Sequence, residues 1–357
     1  MHKYKVAVYA ICKDEEKFIK RWVSSMKEAD DIYVLDTGSK DKSVKLLKEE
    51  KVHVTSKKIN PFRFDVARNE SLKLVPKDVN ICVCTDIDEV FNPGWREKLE
   101  NIWNGNRVRY NYNWAFSEDN KVLVSYYLDK IHSRNGYKWK YPVHEVLIGN
   151  DNNIITTNEI TLNHYPDKNK SRKSYLPLLK LATKEFKDDP RCLHYLGREY
   201  MYYNKNDKAI STLKKHLNLK NSTWKEERSA SMRFIGRCYA RKGDFPSSIK
   251  WYDLSIKETP YLRDPYVEKA LVMYKQNKYN DVIYLCEQAL DIKHNKKEYI
   301  NETFSYDETI YDLLSLCYYY KDNNELALFY INKALLINPT NERLKENKSF
   351  FKWFSYN

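Results

Sequence analysis

Near residue 188 the hydrophobic period of the chain changes, and this change limits the fold more than any other feature. Before it, short apolar, β-prone runs alternate with helical stripes; after it, strand patterning stops and small residues recur at helical spacing. The chain's 357 residues suffice for two domains with separate cores. The expected organisation is an α/β unit over residues 1–166, a connecting helix within 167–187 and an all-α unit over 188–357. Leu176, Leu178, Leu179 and Leu181 give the connecting helix its apolar face.

In the first half, Val6 to Ile11 reads as a buried strand, broken by Lys13-Asp14-Glu15-Glu16. Phe18, Ile19, Trp22, Val23 and Met26 then mark one face of a helix. Ile32 to Leu35 is a second strand, followed by a turn and a helix over Lys42 to Glu50. A short strand at His53 to Thr55, a helix near Asp65 to Leu74 and a strand at Ile81 to Cys84 complete the series. Alternation of this kind predicts a parallel sheet, whose ligands bind beyond the carboxyl ends of the strands. Three polar clusters lie there: Lys13–Glu16, Asp36–Asp41 and Asp86–Glu89.

Asp86 and Asp88 follow the most hydrophobic of these strands. On extended chain, side chains two apart point to one side, where two carboxylates repel unless a cation intervenes. A divalent ion such as Mn2+ or Mg2+ takes hard oxygen ligands and binds diphosphate oxygens as well. The bland reading of an Asp-x-Asp pair is a solvated acidic turn; its place after a buried strand, beside two other polar clusters, favours the metal.

These segments carry a family resemblance. VAVYAICKDEE at the start, VLDTGSKDKS at 34–43, RFDVARNESL at 63–72 and CTDIDEVF at 84–91 resemble, in this order, the family 2 glycosyltransferases of GT-A fold. The resemblance spans about residues 4–166. It departs at Asp14, where the family usually has Asn. It implies a Rossmann-like nucleotide-sugar domain in which Ile11, Cys12 and Glu15 edge the nucleobase. Asp36 would bond the uracil or ribose, Arg68 and Asn69 would contact the nucleotide, and Asp86 would touch ribose or diphosphate. Asp88 would be the main metal ligand. Asp41 is expected to cap the helix after it, and an ordinary helical ion pair is the alternative for Asp65 or Arg68. WKYPVHE at 139–145 resembles a segment of the subgroup that carries tetratricopeptide repeats and includes bacteriocin peptide glycosyltransferases. By that likeness Glu145 is the candidate general base, and His144 or His164 completes the metal shell, with structural roles as the alternatives. Trp139 and Trp114 are candidates for stacking on sugar or base, with core packing as the plainer reading. The family implies inversion at the anomeric carbon.

The second half resembles tetratricopeptide repeats, helix pairs of about 34 residues. Four segments carry the pattern: Leu196-Gly197, Tyr200 and Ala209; Ile235-Gly236, Tyr239, Tyr252 and Pro260; Ala270, Met273 and Ala289; Tyr318, Ala327, Ala334 and Pro339. Wider spacing places insertions near Asn218 to Glu226 and His294 to Asp307. Small residues let paired helices approach, and stacked pairs form a concave surface. That surface suits a peptide or protein acceptor; bracing of the catalytic domain or homodimer formation is the alternative. The aromatic tail Phe350 to Phe354 is expected to close the last repeat, with a partner or membrane contact as the alternative.

Bulk properties narrow the classes. Thirty Tyr, 13 Phe and 8 Trp argue against disorder. No apolar run reaches the ~18 residues of a membrane span, and the N-terminus lacks a signal-peptide pattern, so a cytoplasmic location is expected. Seven scattered cysteines with no CxxC pair offer neither a disulfide framework nor a zinc site. The net charge of +13 suits anionic partners, but no basic stripe with interleaved aromatics points to nucleic acid. The reading is thus a metal-dependent transferase moving a sugar, with UDP the donor nucleotide by resemblance, to a peptide, protein or glycan. The alternative is a repeat scaffold bearing a degenerate nucleotide-sugar-binding domain.

Overall fold

A run such as Val6–Cys12, apolar on both faces, has to be covered from both sides, and it forms the buried central strand β1. The computed structural model describes residues 2–117, 120–149, 153–167, 173–293 and 297–355. In it β2 (Asp31–Asp36) and β4 (Ile81–Cys84) flank β1, both parallel to it, and β3 (His53–Ser56) extends the parallel set beyond β2. Helices α1 (Ile19–Met26), α2 (Ser43–Glu49) and α3 (Phe64–Leu74) make the connections. Helix α1 turns Ile19, Trp22, Val23 and Met26 into the core, the stripe read from the sequence.

Past β4 the sheet becomes mixed. Strand β5 (Glu89–Phe91), α4 (Trp95–Ile102), β6 (Arg107–Phe116), β7 (Val122–Ser133) and β10 (Ile154–His164) follow, with a small hairpin of β8 (Tyr137–Lys140) and β9 (Val146–Gly149). The eight-stranded order is β3-β2-β1-β4-β7-β6-β10-β5, with β7 antiparallel to β4. None of the strands of this second half is among those expected from the sequence, the last of which is Ile81 to Cys84. In β6 buried polar residues, Asn111 and Asn113, sit among buried aromatics and no apolar run forms, and β5 is three residues long, too short for a periodic signal.

The chain divides into two compact units, Met1–Ala115 with Ser125–Ala182, and Phe116–Val124 with Thr183–Asn357. Helix α5 (Tyr175–Glu185) buries Leu176, Leu178, Leu179 and Ala182. The second unit is built from helix pairs: α6 (Pro190–Tyr202) with α7 (Asn206–Asn218), α8 (Lys225–Arg241) with α9 (Phe245–Glu258), α10 (Asp264–Tyr274) with α11 (Tyr279–Asp291), and α12 (Thr309–Tyr319) with α13 (Asn324–Ile337); α14 (Glu342–Ser355) follows. Asp189, Asp244 and Asn323 cap α6, α9 and α13 through their side chains. All seven cysteines are free and buried. No described helix is long and apolar enough to cross a membrane.

The small residues of the repeats sit where partner helices touch. A Cβ on Gly197 of α6 would lie 2.5 Å from Cγ and Cδ2 of Leu213 on α7; one on Gly236 of α8 would lie 2.9 Å from the Tyr252 ring on α9. The Leu213 Cγ is close to its own backbone and has little room to retreat. Gly197→Ala is therefore expected to destabilise the protein, although Ala favours a helix interior by about 1 kcal/mol over Gly. Overpacking costs about 1–3 kcal/mol, and urea denaturation should give a lower midpoint for the variant; an equal or higher midpoint would contradict the close approach.

Candidate active site

The parallel register brings the ends of β1, β2 and β4 to one edge of the sheet, each followed by one of the three polar clusters. The first two clusters are laced together. The Asp14 amide donates to Ser39 Oγ at 2.9 Å, Lys40 N–H to Asp14 Oδ1 at 2.7 Å and Glu15 N–H to Ser43 Oγ at 2.8 Å. Asp14 has φ 55°, in the left-handed region that Asn and Asp tolerate better than most residues, so Asp in place of the family's Asn preserves the turn. Ile11 lies beside Leu35 in the sheet, and Glu15 is buried. Asp36, 3 % exposed, accepts Ser39 N–H at 3.0 Å and Gly38 N–H at 3.3 Å, which fixes the turn below it. Asp41 accepts Ser43 N–H at 2.9 Å, the first amide of α2, and Glu16 N–H at 3.0 Å.

The third cluster differs from its expected shape. Ile87 and Asp88 form a turn closed by Glu89 N–H to the Asp86 carbonyl at 3.1 Å, so Asp86 and Asp88 are not two side chains of one extended strand. Ile87, 2 % exposed, anchors that turn in the core. The two carboxylates take different partners.

Asp86 pairs with protein cations. Arg68 on α3 donates Nη2 to Asp86 Oδ1, and Lys130 on β7 donates Nζ to Asp86 Oδ2 at 3.0 Å. Burial would raise the Asp86 carboxyl, but Arg68 and Lys130 outweigh it and hold the group well below the ordinary carboxylate range. Arg68 also donates Nε to Glu145 Oε1 at 3.1 Å and Nη1 to the Thr85 carbonyl at 3.2 Å, with its guanidinium 5.5 Å from the centre of the Trp139 ring. The helical ion pair that was the alternative for Arg68 is not made; Asp65 pairs with Arg63 at 2.8 Å. Asn69 bonds the Trp139 backbone in both directions, each at 2.9 Å, so both ends of its amide hold β8 against α3.

Asp88 faces His164, with Oδ2 3.5 Å from Nε2. The His164 Nδ1 lies 3.4 Å from the Trp114 carbonyl, which accepts its proton; Nε2 faces Asp88 and offers its lone pair to a metal only when it carries no proton. Burial lowers the His164 pKa, but Asp88 reverses that and raises it above the ordinary imidazole value. His144, at φ 51°, packs its ring edge-on to Tyr175 at 5.6 Å. Among the described residues no group of three or more His, Cys, Asp or Glu is poised around a common point. The pair fits a divalent ion that also takes oxygens from a diphosphate: one carboxylate, and one imidazole whose second nitrogen rests on a backbone carbonyl.

Two residues of the site carry no role in the sequence reading. Lys130 also lies 3.8 Å from Glu89 Oε1. Glu89, 1 % exposed, accepts Asp86 N–H and Tyr112 O–H, each at 2.8 Å, and burial raises its carboxyl despite Lys130. The β4–β7 register, Val83 opposite Ile131, sets Lys130 beside the end of β4. A lysine interrupting an apolar β run is the signal that could have found it. Of the two tryptophans, Trp139 is buried and donates to Tyr9 Oη at 2.9 Å, whereas Trp114 is 44 % exposed.

Residues 8–150 match the family model "Glycosyl transferase family 2", and residues 308–341 match a tetratricopeptide repeat model. No curated protein matches the sequence. Among solved structures, the chain is similar to MamA (19 % identity, TM-score 0.37, 52 % of this chain and 98 % of that one). It is also similar to PilF of Pseudomonas aeruginosa (12 % identity, TM-score 0.39, 48 % and 72 %). A thermophilic TPR protein of Thermus thermophilus is a third (18 % identity, TM-score 0.36, 50 % and 89 %). The N-terminal half of the chain thus carries a family 2 glycosyltransferase domain on a Rossmann-like mixed sheet, and the C-terminal half a tetratricopeptide-type array of helix pairs.

Proposed function

We propose that the protein transfers a hexose from a UDP-sugar to a peptide, protein or glycan acceptor, with inversion and with Mn2+ or Mg2+ at Asp88 and His164. The observation that carries this reading is the Asp88–His164 pair, 3.5 Å apart, which sets the turn after a buried parallel strand against the end of β10. His144 keeps a place in the proposed metal shell only as the second choice, since its described contact is with Tyr175. When bound, the ion supplies positive charge to the departing nucleoside diphosphate.

The remaining roles belong to the chain's own residues. Arg68 and Lys130 hold Asp86 ionised and fixed, ready to accept from ribose hydroxyls or to sit beside the diphosphate. Ile11, Glu15 and Asp36, on the rigid β1–β2 edge, form the nucleobase end of the donor site. Asn69 acts at one remove, by holding the Trp139 backbone. Glu145 takes the acceptor proton; Arg68 fixes Oε1, and a carboxylate has a second oxygen for the work. The catalytic segment is 1–166, joined through 167–187 to the repeats at 188–357, and the repeats select the acceptor or join two copies. A cytoplasmic location suits the UDP-sugar supply and the free cysteines.

Thermal unfolding with a panel of nucleoside diphosphates and their sugars, with and without Mn2+, tests the donor site. A ligand at ~100 times its Kd adds about 2.7 kcal/mol. UDP or one UDP-sugar should raise Tm only with Mn2+, and Asp88→Ala should abolish the rise. No shift with any nucleotide would leave the scaffold reading in its place.

Glu145→Gln separates chemistry from binding. It keeps an oxygen for Arg68 but removes the base, so sugar transfer should fall by roughly 10²–10⁴ while the donor-induced Tm shift persists. Transfer at the unaltered rate would reduce Glu145 to an anchor for Arg68.

A further inference from the structure

In a stack of helix pairs the helices that adjoin across repeats form the inner wall, and here α6, α8, α10 and α12 adjoin in turn. Such a wall ordinarily offers a groove to a partner. In this chain part of it is already filled by the insertion between α11 and α12. Four consecutive residues, Tyr299 to Glu302, lie against three of the inner helices in the way a bound peptide would.

The contacts are specific at each position. The Tyr299 ring stacks on Tyr195 of α6 at 6.0 Å and lies 5.3 Å from Trp224, and its hydroxyl donates to Glu227 Oε2 of α8 at 2.8 Å. Ile300 is 5 % exposed, and its carbonyl accepts from Arg233 Nη2 at 2.7 Å. The Glu302 amide donates to Asp264 Oδ1 of α10 at 2.6 Å, and its carboxylate accepts from Arg237 Nη2 at 2.5 Å. Groove side chains thus satisfy a backbone carbonyl and a backbone amide as well as an aromatic hydroxyl and a carboxylate. This combination gives affinity through main chain and specificity through side chains.

The groove is charge-matched before the segment enters it. Arg233 donates to Glu268 at 2.7 Å and Arg237 to Glu268 at 2.6 and 2.8 Å, with Asp264 as the second acid. Glu302 adds a third carboxylate to two guanidinium groups and shares donors that Glu268 already holds. The segment thus joins an ion network whose charges balance without it, while Ile300 adds to the hydrophobic cluster beneath.

We propose that Tyr299–Glu302 is an internal ligand of the repeat unit. It closes a groove built for a short peptide that turns at an aromatic hydroxyl residue and the aliphatic residue after it, as Asn301 N–H to the Glu298 carbonyl closes the turn here, and that carries a carboxylate three places after the aromatic. An outside peptide of that chemistry enters only by displacing it. The inference does not rest on the sugar-transfer reading.

The test uses the full chain with Tyr299→Gly, Ile300→Ser, Asn301→Gly and Glu302→Ser together, and a fluorescent synthetic peptide of residues 297–304. By anisotropy the peptide should bind this variant at least about tenfold more tightly than the unaltered chain, whose groove is open only a fraction of the time. A peptide with Ala at the Tyr299 and Glu302 positions should lose at least about tenfold on the variant. Equal peptide affinity for variant and unaltered chain, no binding to a variant with native circular dichroism, or equal binding of the Ala peptide would each overturn the proposal. Should the fourfold variant not fold, Tyr299→Ala alone replaces it. Tighter binding than to the unaltered chain supports the proposal, and unchanged binding overturns it.

Discussion

A buried guanidinium must have its charge and all its donors answered, and the first unit is organised around meeting that demand for Arg68, whose side chain is 2 % exposed. Its partners come from three separate places: Asp86 and Thr85 after β4, Glu145 in the connection from β8 to β9, and the Trp139 ring within β8. Losing a partner of a buried pair costs about 3–5 kcal/mol. The Asp86 side chain, however, is 37 % exposed, so solvent screens that contact and its share is smaller. Glu145 is the more enclosed partner at 13 %. The same ion that shapes the loop after β4 therefore also fixes the candidate base.

What the sequence disclosed follows from how local the signal was. β1 to β4 and α1 to α3 announce themselves in runs of four to eleven residues, and the three polar clusters fall after strands in plain view. The pairings within the site did not, because they join residues far apart in the chain. Arg68 to Glu145 spans 77 positions and Lys130 to Asp86 spans 44. No period carries such information; it is set by strand register, as with Lys130 opposite the end of β4. Asp86 and Asp88 are close in sequence, yet their i, i+2 spacing misleads, because the chain turns at the buried Ile87 where the spacing implies an extended strand.

In the second unit, glycine and alanine marked the helix contacts accurately because steric exclusion is local to a pair of helices: Gly197 against Leu213, Gly236 against Tyr252. The insertion near His294 to Asp307 was visible as a break in spacing, although residues 294–296 lie outside the described ones. Where its remainder goes was not visible. A segment rich in polar and aromatic residues reads as a surface loop until the charges that receive it, Arg233, Arg237 and Asp264, are seen to converge.

The same unit holds a second buried polar chain, and counting its protons gives it a direction. His194 Nδ1 lies 2.8 Å from Ser231 Oγ, which lies 2.9 Å from His216 Nδ1. His216 Nε2 in turn lies 2.9 Å from Ser222 Oγ and 3.3 Å from Glu227 Oε1. Ser231 has one proton, so it donates to one imidazole and accepts from the other. Burial pushes the His194 pKa down to about 3, making it neutral, and its Nε2 has no partner among the described residues. An orphaned acceptor costs less than an orphaned donor, which puts the His194 proton on Nδ1. Ser231 then donates to His216 Nδ1, and the His216 proton sits on Nε2, between Ser222 Oγ at 2.9 Å and Glu227 Oε1 at 3.3 Å. Burial would raise the Glu227 carboxyl, yet the hydrogen bonds of His216 and the Tyr299 hydroxyl work against that and help hold it below the ordinary range, so the chain ends on an anion. One consistent set of donors thereby ties α6, α7 and α8 in register, and the anion at its end is the one that receives Tyr299.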